Sequence, residues 1–319
     1  MRMLMWGVTL GVMLGWAAEA RAWGMATHIL MVEQATGKRN PEQNLGSMMT
    51  DMNQAAALDA ELRHAIGTLT HFEFDRLRPS CFARGFASHN NVWGADWYSH
   101  QYWLEDVPES EWYYPTHKIY ELAEELDITL NEAEYYFEMA MEILLRRDTG
   151  PELGYQILFA TLAFDDTHRR DLIDAFAEPL AARMPGMSVA EATRTLNLSM
   201  RSFHRMLQVY GNAYVQGELE LARLLVAVGV FYLNVRPMEV AYNLRYAVEW
   251  CSADYREELD RISDVLTPLL VAAYPVVSCD DDTPWGCTPG EGESSPASLA
   301  PLLVLSLLLR PVPPRWKRA

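Results

Sequence analysis

Between residues 118 and 273 apolar side chains recur every three or four positions, and no stretch sustains the two-residue alternation of a half-buried strand. That period commits the chain to helices. It predicts them over 118–126, 130–147, 151–165, 171–183, 189–210, 218–233, 237–251 and 255–273. Start signals agree, with Thr129 ahead of Leu130-Asn-Glu132 and Ser188 three residues before Glu191 in the pattern of a capping box. Upstream, a helix is expected over 23–35 with Thr27 able to cap it, broken by Gly37-Lys-Arg-Asn-Pro41. A second should run over 55–69, carrying Leu58, Leu62, Ala65, Ile66 and Leu69 on one face. A third, over 82–103, has an irregular middle at Asn90, Asn91 and Gly94, all poor helix formers. The Met and aromatic stripes (Met139, Met141, Met200, Met206, Phe159, Phe203) read as core filler. There is no internal repeat. The expected fold is all-α, a single compact multi-helix domain.

The two ends read differently from the middle. Residues 1–22 join Arg2, an apolar run through Leu14-Gly-Trp-Ala-Ala and Ala20-Arg-Ala22, the pattern of a secretory signal peptide that would leave Trp23 at the mature N-terminus. The domain is then expected over 23–275 and a linker over 276–298, with a tail over 299–319 whose short apolar run ends in basic residues. Cysteine, polar spacer, apolar run and basic end in that order resemble the MYXO-CTERM sorting tail. The resemblance implies processing near Gly286-Cys287 and anchoring at a bacterial cell surface. Four cysteines (Cys81, Cys251, Cys279, Cys287) are too few for a disulfide scaffold, and Cys279 could pair with Cys287 in an oxidising exterior unless Cys287 is processed. A formal net charge of -17 argues against nucleic acid as a structural partner, though not against a nuclease that meets phosphate through metal ions.

Histidine is unevenly placed. Six of the eight (His28, His64, His71, His89, His100, His117) precede residue 118. Asp96 and His100 stand four apart, as do His117 and Glu121, and His89 lies seven before Asp96. On a helix, residues four apart share a face. One such pair more often makes a surface contact than a metal site. Two pairs within a cluster of imidazoles point to a divalent ion such as zinc, which takes neutral imidazole and carboxylate as ligands. Asp165-Asp-Thr-His168 reads as a solvated helix junction.

Trp23-Gly-Met-Ala-Thr-His28 is similar to the start of the zinc-dependent phospholipase C family, alpha-toxin group, and of the related single-strand-specific nucleases. The resemblance implies that the α-amino and carbonyl groups of Trp23, with His28, bind one of up to three zinc ions. Gly85-x3-His89 followed by Asp96-x3-His100 resembles the family's Gly-x3-His-x3-Asp helix, here with three residues inserted, and His117-Lys-Ile-Tyr-Glu121 resembles its final ligand pair. Gly67-Thr-Leu-Thr-His71 with Asp75 fits the same pattern, and Cys81 stands where a further histidine would fall. Two registrations stay open: His71 and Asp75 as the early pair, or as the central pair with His89 and His100 as variants. The implied metal ligands are Trp23, His28, His71, Asp75, His89, Asp96, His100, His117 and Glu121. Asp75 would bridge ions and serve as catalytic base, and Trp93, Trp97, Tyr98, Tyr102, Trp103 and Trp112 could line a cleft or pack the core. The implied substrate is a phospholipid head group or another phosphodiester. The alternatives are a 3'-nuclease on the same scaffold and a catalytically weak metal-binding surface protein.

Overall fold

The computed structural model describes residues 24–54, 59–99, 108, 112–275, 277 and 279, and among them it contains thirteen α-helices and no strand. The helices are α1 (Met25–Thr36), α2 (Pro41–Met49), α3 (Ala60–Phe72), α4 (Cys81–His89), α5 (Ala95–Ser99), α6 (Tyr114–Leu126) and α7 (Leu130–Thr149), followed by α8 (Glu152–Ala163), α9 (Asp166–Arg183), α10 (Val189–Gln216), α11 (Glu218–Leu233), α12 (Pro237–Cys251) and α13 (Tyr255–Ala273). Two 3-10 turns, Thr50–Gln54 and Phe74–Arg76, join the early helices. The described residues belong to one compact all-α unit.

In the second half, period and capping decide the limits. Thr129 and Ser188 both form complete capping boxes, and α11 to α13 span the expected residues. Helix α9 starts earlier than its apolar period indicates, because Asp165 accepts from the backbone of Thr167 at 2.7 Å and of His168 at 3.0 Å. The Asp165–His168 pair is therefore a helix start. Of the expected core filler, Met141, Met200, Phe203 and Met206 are buried and Met139 packs against the core, whereas Phe159 is 46 % exposed.

In the first half, α3 ends three residues beyond the expected 55–69 stretch, of which 55–58 lie outside the described residues, α6 starts at Tyr114 rather than at 118, and three further departures bear on the site. Helix α1 starts two residues before Thr27, with Gly24 at its N-cap position. Helix α2 lies where only a break was expected: Asn40 accepts from Gln43 N at 3.0 Å and Pro41 occupies the first turn, a strong local start signal. The 82–103 stretch splits at its irregular middle, because Asn90 Oδ1 accepts from Val92 N at 2.7 Å, Trp93 N at 2.9 Å and Gly94 N at 3.2 Å. That turn ends α4 and restarts the chain as α5.

Helices α2 and α4 cross backbone to backbone. A Cβ on Gly85 would stand 1.9 Å from Gln43 O, and one on Gly46 would stand 2.1 Å from Phe82 O. Only glycine permits this approach. The first residue of α4, Cys81, is bonded to Cys279, and Arg84 donates to Val277 O at 3.2 Å. The Cys279–Cys287 pairing considered from the sequence is therefore replaced by a link of 198 residues that fastens the C-terminal segment to α4.

One buried acid lies between α1 and α2. Glu33 accepts from Asn44 Nδ2 at 2.7 Å, yet burial pushes its carboxyl up to about 7 from 4.5. Folding thus favours the protonated form. That stability is present below about 4.5 and is lost as pH rises through about 7. Glu33→Gln, which keeps an acceptor for Asn44, is expected to flatten this decline and to be more stable than the parent at pH 8 by about 2 kcal/mol. Urea unfolding of both proteins at pH 5 and pH 8 checks it.

Candidate metal centre

Five buried side chains converge from five elements: His28 in the first turn of α1, Asp51 on the 3-10 turn after α2, His71 near the end of α3, His89 at the last position of α4 and Asp96 in α5. All are at most 3 % exposed. His89 Nε2 stands 3.1 Å from Asp96 Oδ2 and 3.6 Å from Asp51 Oδ1. His71 Nε2 stands 3.5 Å from each of the same two oxygens. His28 Nε2 is 3.8 Å from the other Asp96 oxygen, and its ring stacks on His89 with centroids 3.8 Å apart. The asparagine turn explains the seven-residue step from His89 to Asp96: the chain leaves one helix, reverses and presents Asp96 from the next.

The outward nitrogens fix how the rings are used. His89 Nδ1 lies 2.7 Å from Ser47 O and His71 Nδ1 lies 2.9 Å from Gly67 O. A carbonyl can only accept, so each Nδ1 carries the proton it donates and each Nε2 faces the carboxylates. A backbone acceptor behind a ring in this way is the usual support of a metal-binding imidazole. Neither Nε2 of His71 and His89 nor either oxygen of Asp51 makes a hydrogen bond. Buried polar groups left so are costly unless a cation completes them.

Spacing agrees with that account. Ligand bonds of about 2.0–2.1 Å in a tetrahedral shell put neighbouring donors about 3.3 Å apart, and the four imidazole–carboxylate distances between His71 or His89 and Asp51 or Asp96 run from 3.1 to 3.6 Å. These residues can hold a metal ion, in overlapping groups of His28, Asp51 and His89 and of His71, His89 and Asp96. Because both groups use the one available nitrogen of His89, they are halves of one pocket. The donors are imidazole and carboxylate, which suit zinc, manganese and iron alike.

No family model, curated protein or solved structure matches this chain. The metal pocket is therefore read from its own chemistry. Burial lowers the affinity of His89 for a proton, but the Asp96 and Asp51 carboxylates outweigh that and hold its pKa at about 9. The pocket is electronegative, and either a proton or a metal ion can balance its carboxylates.

The residues singled out from the sequence divide into three sets. His28, His71, His89 and Asp96 meet in the pocket. Trp23, His100, Tyr102 and Trp103 lie outside the described residues. Asp75, His117 and Glu121 are not among the grouped donors. Asp75 sits exposed on the turn after α3, with its charge facing Tyr274, because α3 ends at Phe72 and carries no further face toward the pocket. The carboxylate that stands in the pocket beside Asp96 is Asp51. On α6, His117 lies edge-on to Trp112 at 5.7 Å, and Glu121 accepts from Trp250 Nε1 at 3.1 Å and stands 3.6 Å from Lys118 Nζ. With Trp112 and Tyr120 they line an open cleft of about 570 Å³. Trp93 and Trp97 pack against the core and Tyr98 is part of it. Two further features passed unread in the sequence: Asp51 inside the apolar run Met48-Met-Thr-Asp-Met52, and the carboxylates Glu134, Glu138 and Glu142, spaced by four and all fully buried on α7.

Proposed function

We propose that this chain is a secreted zinc-dependent phosphodiester hydrolase of the phospholipase C type, acting on a phospholipid head group and anchored at a bacterial cell surface through its C-terminal tail. The observation that carries the reading is the pocket of His71, His89, Asp51 and Asp96, with four donor separations of 3.1 to 3.6 Å and both rings backed by carbonyls. Bound there, zinc would supply Lewis acidity toward a phosphoryl oxygen and acidify water at neutral pH. The chain's own part is to orient the imidazoles through Ser47 and Gly67 so that Nε2 faces the pocket, to exclude bulk water and to keep carboxylates within reach of a proton. Asp51 rather than Asp75 is the buried carboxylate available for that last role. The Cys81–Cys279 disulfide supports an oxidising compartment, in keeping with the signal-like residues 1–22.

A second reading has one observation in its favour. His71, His89, Asp51 and Asp96 together offer four protein donors, enough to fill an ion's shell as in sites that stabilise a fold without catalysis. Purified protein offered phosphatidylcholine and single-stranded DNA side by side, with and without chelator, separates the two. Chelator-sensitive release of phosphocholine is the expected result. Cleavage of DNA alone would move the assignment to a nuclease, and tight zinc with neither product would leave a metal-stabilised surface protein.

A further inference from the structure

Helix α1 begins without a cap of its own. Gly24 offers no side chain, the first turn contains no acid, and the segment 24–27 is buried, so its N–H groups cannot turn to water. The acceptor arrives from α7, more than a hundred residues on. Glu142 Oε2 accepts from Ala26 N at 3.1 Å, and Oε1 accepts from Thr27 N at 2.8 Å and Thr27 Oγ1 at 2.7 Å. Tyr210 on α10 donates its hydroxyl to the same carboxylate. The approach is so close that a Cβ on Gly24 would stand 2.1 Å from Glu142 Cγ.

This is a costly way to cap a helix. Glu142 is fully buried, and no lysine or arginine among the described residues pairs with it. A serine or asparagine at position 24 would satisfy the same N–H groups without burying a charge. A local cap cannot, however, tie α1 to α7 and α10, and the residue after the clamped Thr27 is His28. Burial raises the pKa of the Glu142 carboxyl, and the hydrogen bonds from Tyr210, Thr27 and Ala26 oppose that rise.

We propose that Glu142 is a positioning residue of the metal centre: its carboxylate grips the first turn of α1 and so sets where His28 stands against Asp96 and His89. The inference rests on the metal reading of that pocket, but its first readout does not need a metal. Full-length protein labelled with nitrogen-15 on histidine would be compared as wild type, Glu142→Gln and Thr27→Val, metal-free and titrated with zinc. In metal-free Glu142→Gln the His28 ring signals are expected to shift while those of His71, held by Gly67, stay in place. Zinc affinity is expected to fall about 10-fold or more, the scale of a lost supporting partner. Thr27→Val, which keeps the side-chain shape and removes one of the bonds, should show a smaller change in the same direction and decides the matter alone if Glu142→Gln does not fold. Variants that fold, as judged by circular dichroism, yet keep wild-type His28 signals and zinc affinity would overturn the proposal, even with a lower melting temperature. Failure of the wild type to bind zinc would defeat the metal reading instead, and the His28 signals would still decide the placement.

Discussion

Saturating zinc is expected to raise the melting temperature of this protein by roughly 8–16 °C, and Asp96→Asn to remove nearly all of that rise. The size follows from mass action. An ion held at about a thousand times its dissociation constant stabilises the folded state by about 4 kcal/mol, and each kcal/mol moves the melting point of a domain this large by about 2–4 °C. Asp96 is the residue to change because its carboxylate faces all three imidazoles, at 3.1 Å from His89, 3.5 Å from His71 and 3.8 Å from His28. Asparagine keeps the volume, loses the charge and can donate an N–H to a ring nitrogen, occupying the lone pair that a metal ion would need. Asp75→Asn should leave the zinc shift unchanged, since Asp75 is exposed and belongs to neither donor group. Calorimetry on the three proteins with zinc and with chelator makes the test. An undiminished shift in Asp96→Asn would place the ion elsewhere.

Gly85→Ala should cost about 3 kcal/mol or more and take metal binding with it. The added carbon would stand 1.9 Å from Gln43 O, and the next atoms it meets are also backbone, Gln43 C at 2.7 Å and Gln43 Cα at 3.0 Å. Main chain cannot swing aside as a side chain can, so α2 and α4 must part. Overpacking in a filled core typically costs about 1–3 kcal/mol, and a clash between two helical backbones lies at the upper end. Parting the helices also breaks the bond from His89 Nδ1 to Ser47 O, 2.7 Å long, which holds the ring for the pocket. Gly67→Ala is the contrasting change. Its carbon would meet the far end of the Asn53 side chain at 2.7 Å, and alanine favours the helix by about 1 kcal/mol. Urea unfolding with a zinc titration on both variants compares them, and equal losses would refute the backbone argument.

The helical class and most of the later helices could be read directly, because their limits rest on local chemistry: the capping boxes at Thr129 and Ser188, and Pro237 opening α12. The clustering of histidines pointed to the pocket for a related reason, since imidazoles gather where a polar site must be built. Asp51 stayed hidden because it lies on a 3-10 turn, where neither a helical nor a strand period marks a face. Its placement depends on α2, and the start signal Asn40-Pro41-Glu42-Gln43 was outweighed by the glycine and proline that break the chain there. His117 and Glu121 do share one helix, as their spacing requires. Shared periodicity says that two residues have a common face, but not which way that face points, and here it points to an aromatic cleft. Glu142 could not have been found by spacing at all. Its partners are 115 and 116 residues away, and the link depends on how α1 and α7 pack.

Helix α4 is fastened at its first residue by a covalent bond, along its length by main chain lying against α2, and at its last residue by the carbonyl of Ser47. A rod held at both ends and in the middle resists partial opening. Its amide protons are therefore expected to be among the slowest in the domain to exchange, and the ring of His89 at its end shares that stiffness. The place of His89 is thus set before any ion arrives, so that little of the binding energy would go into arranging the ring.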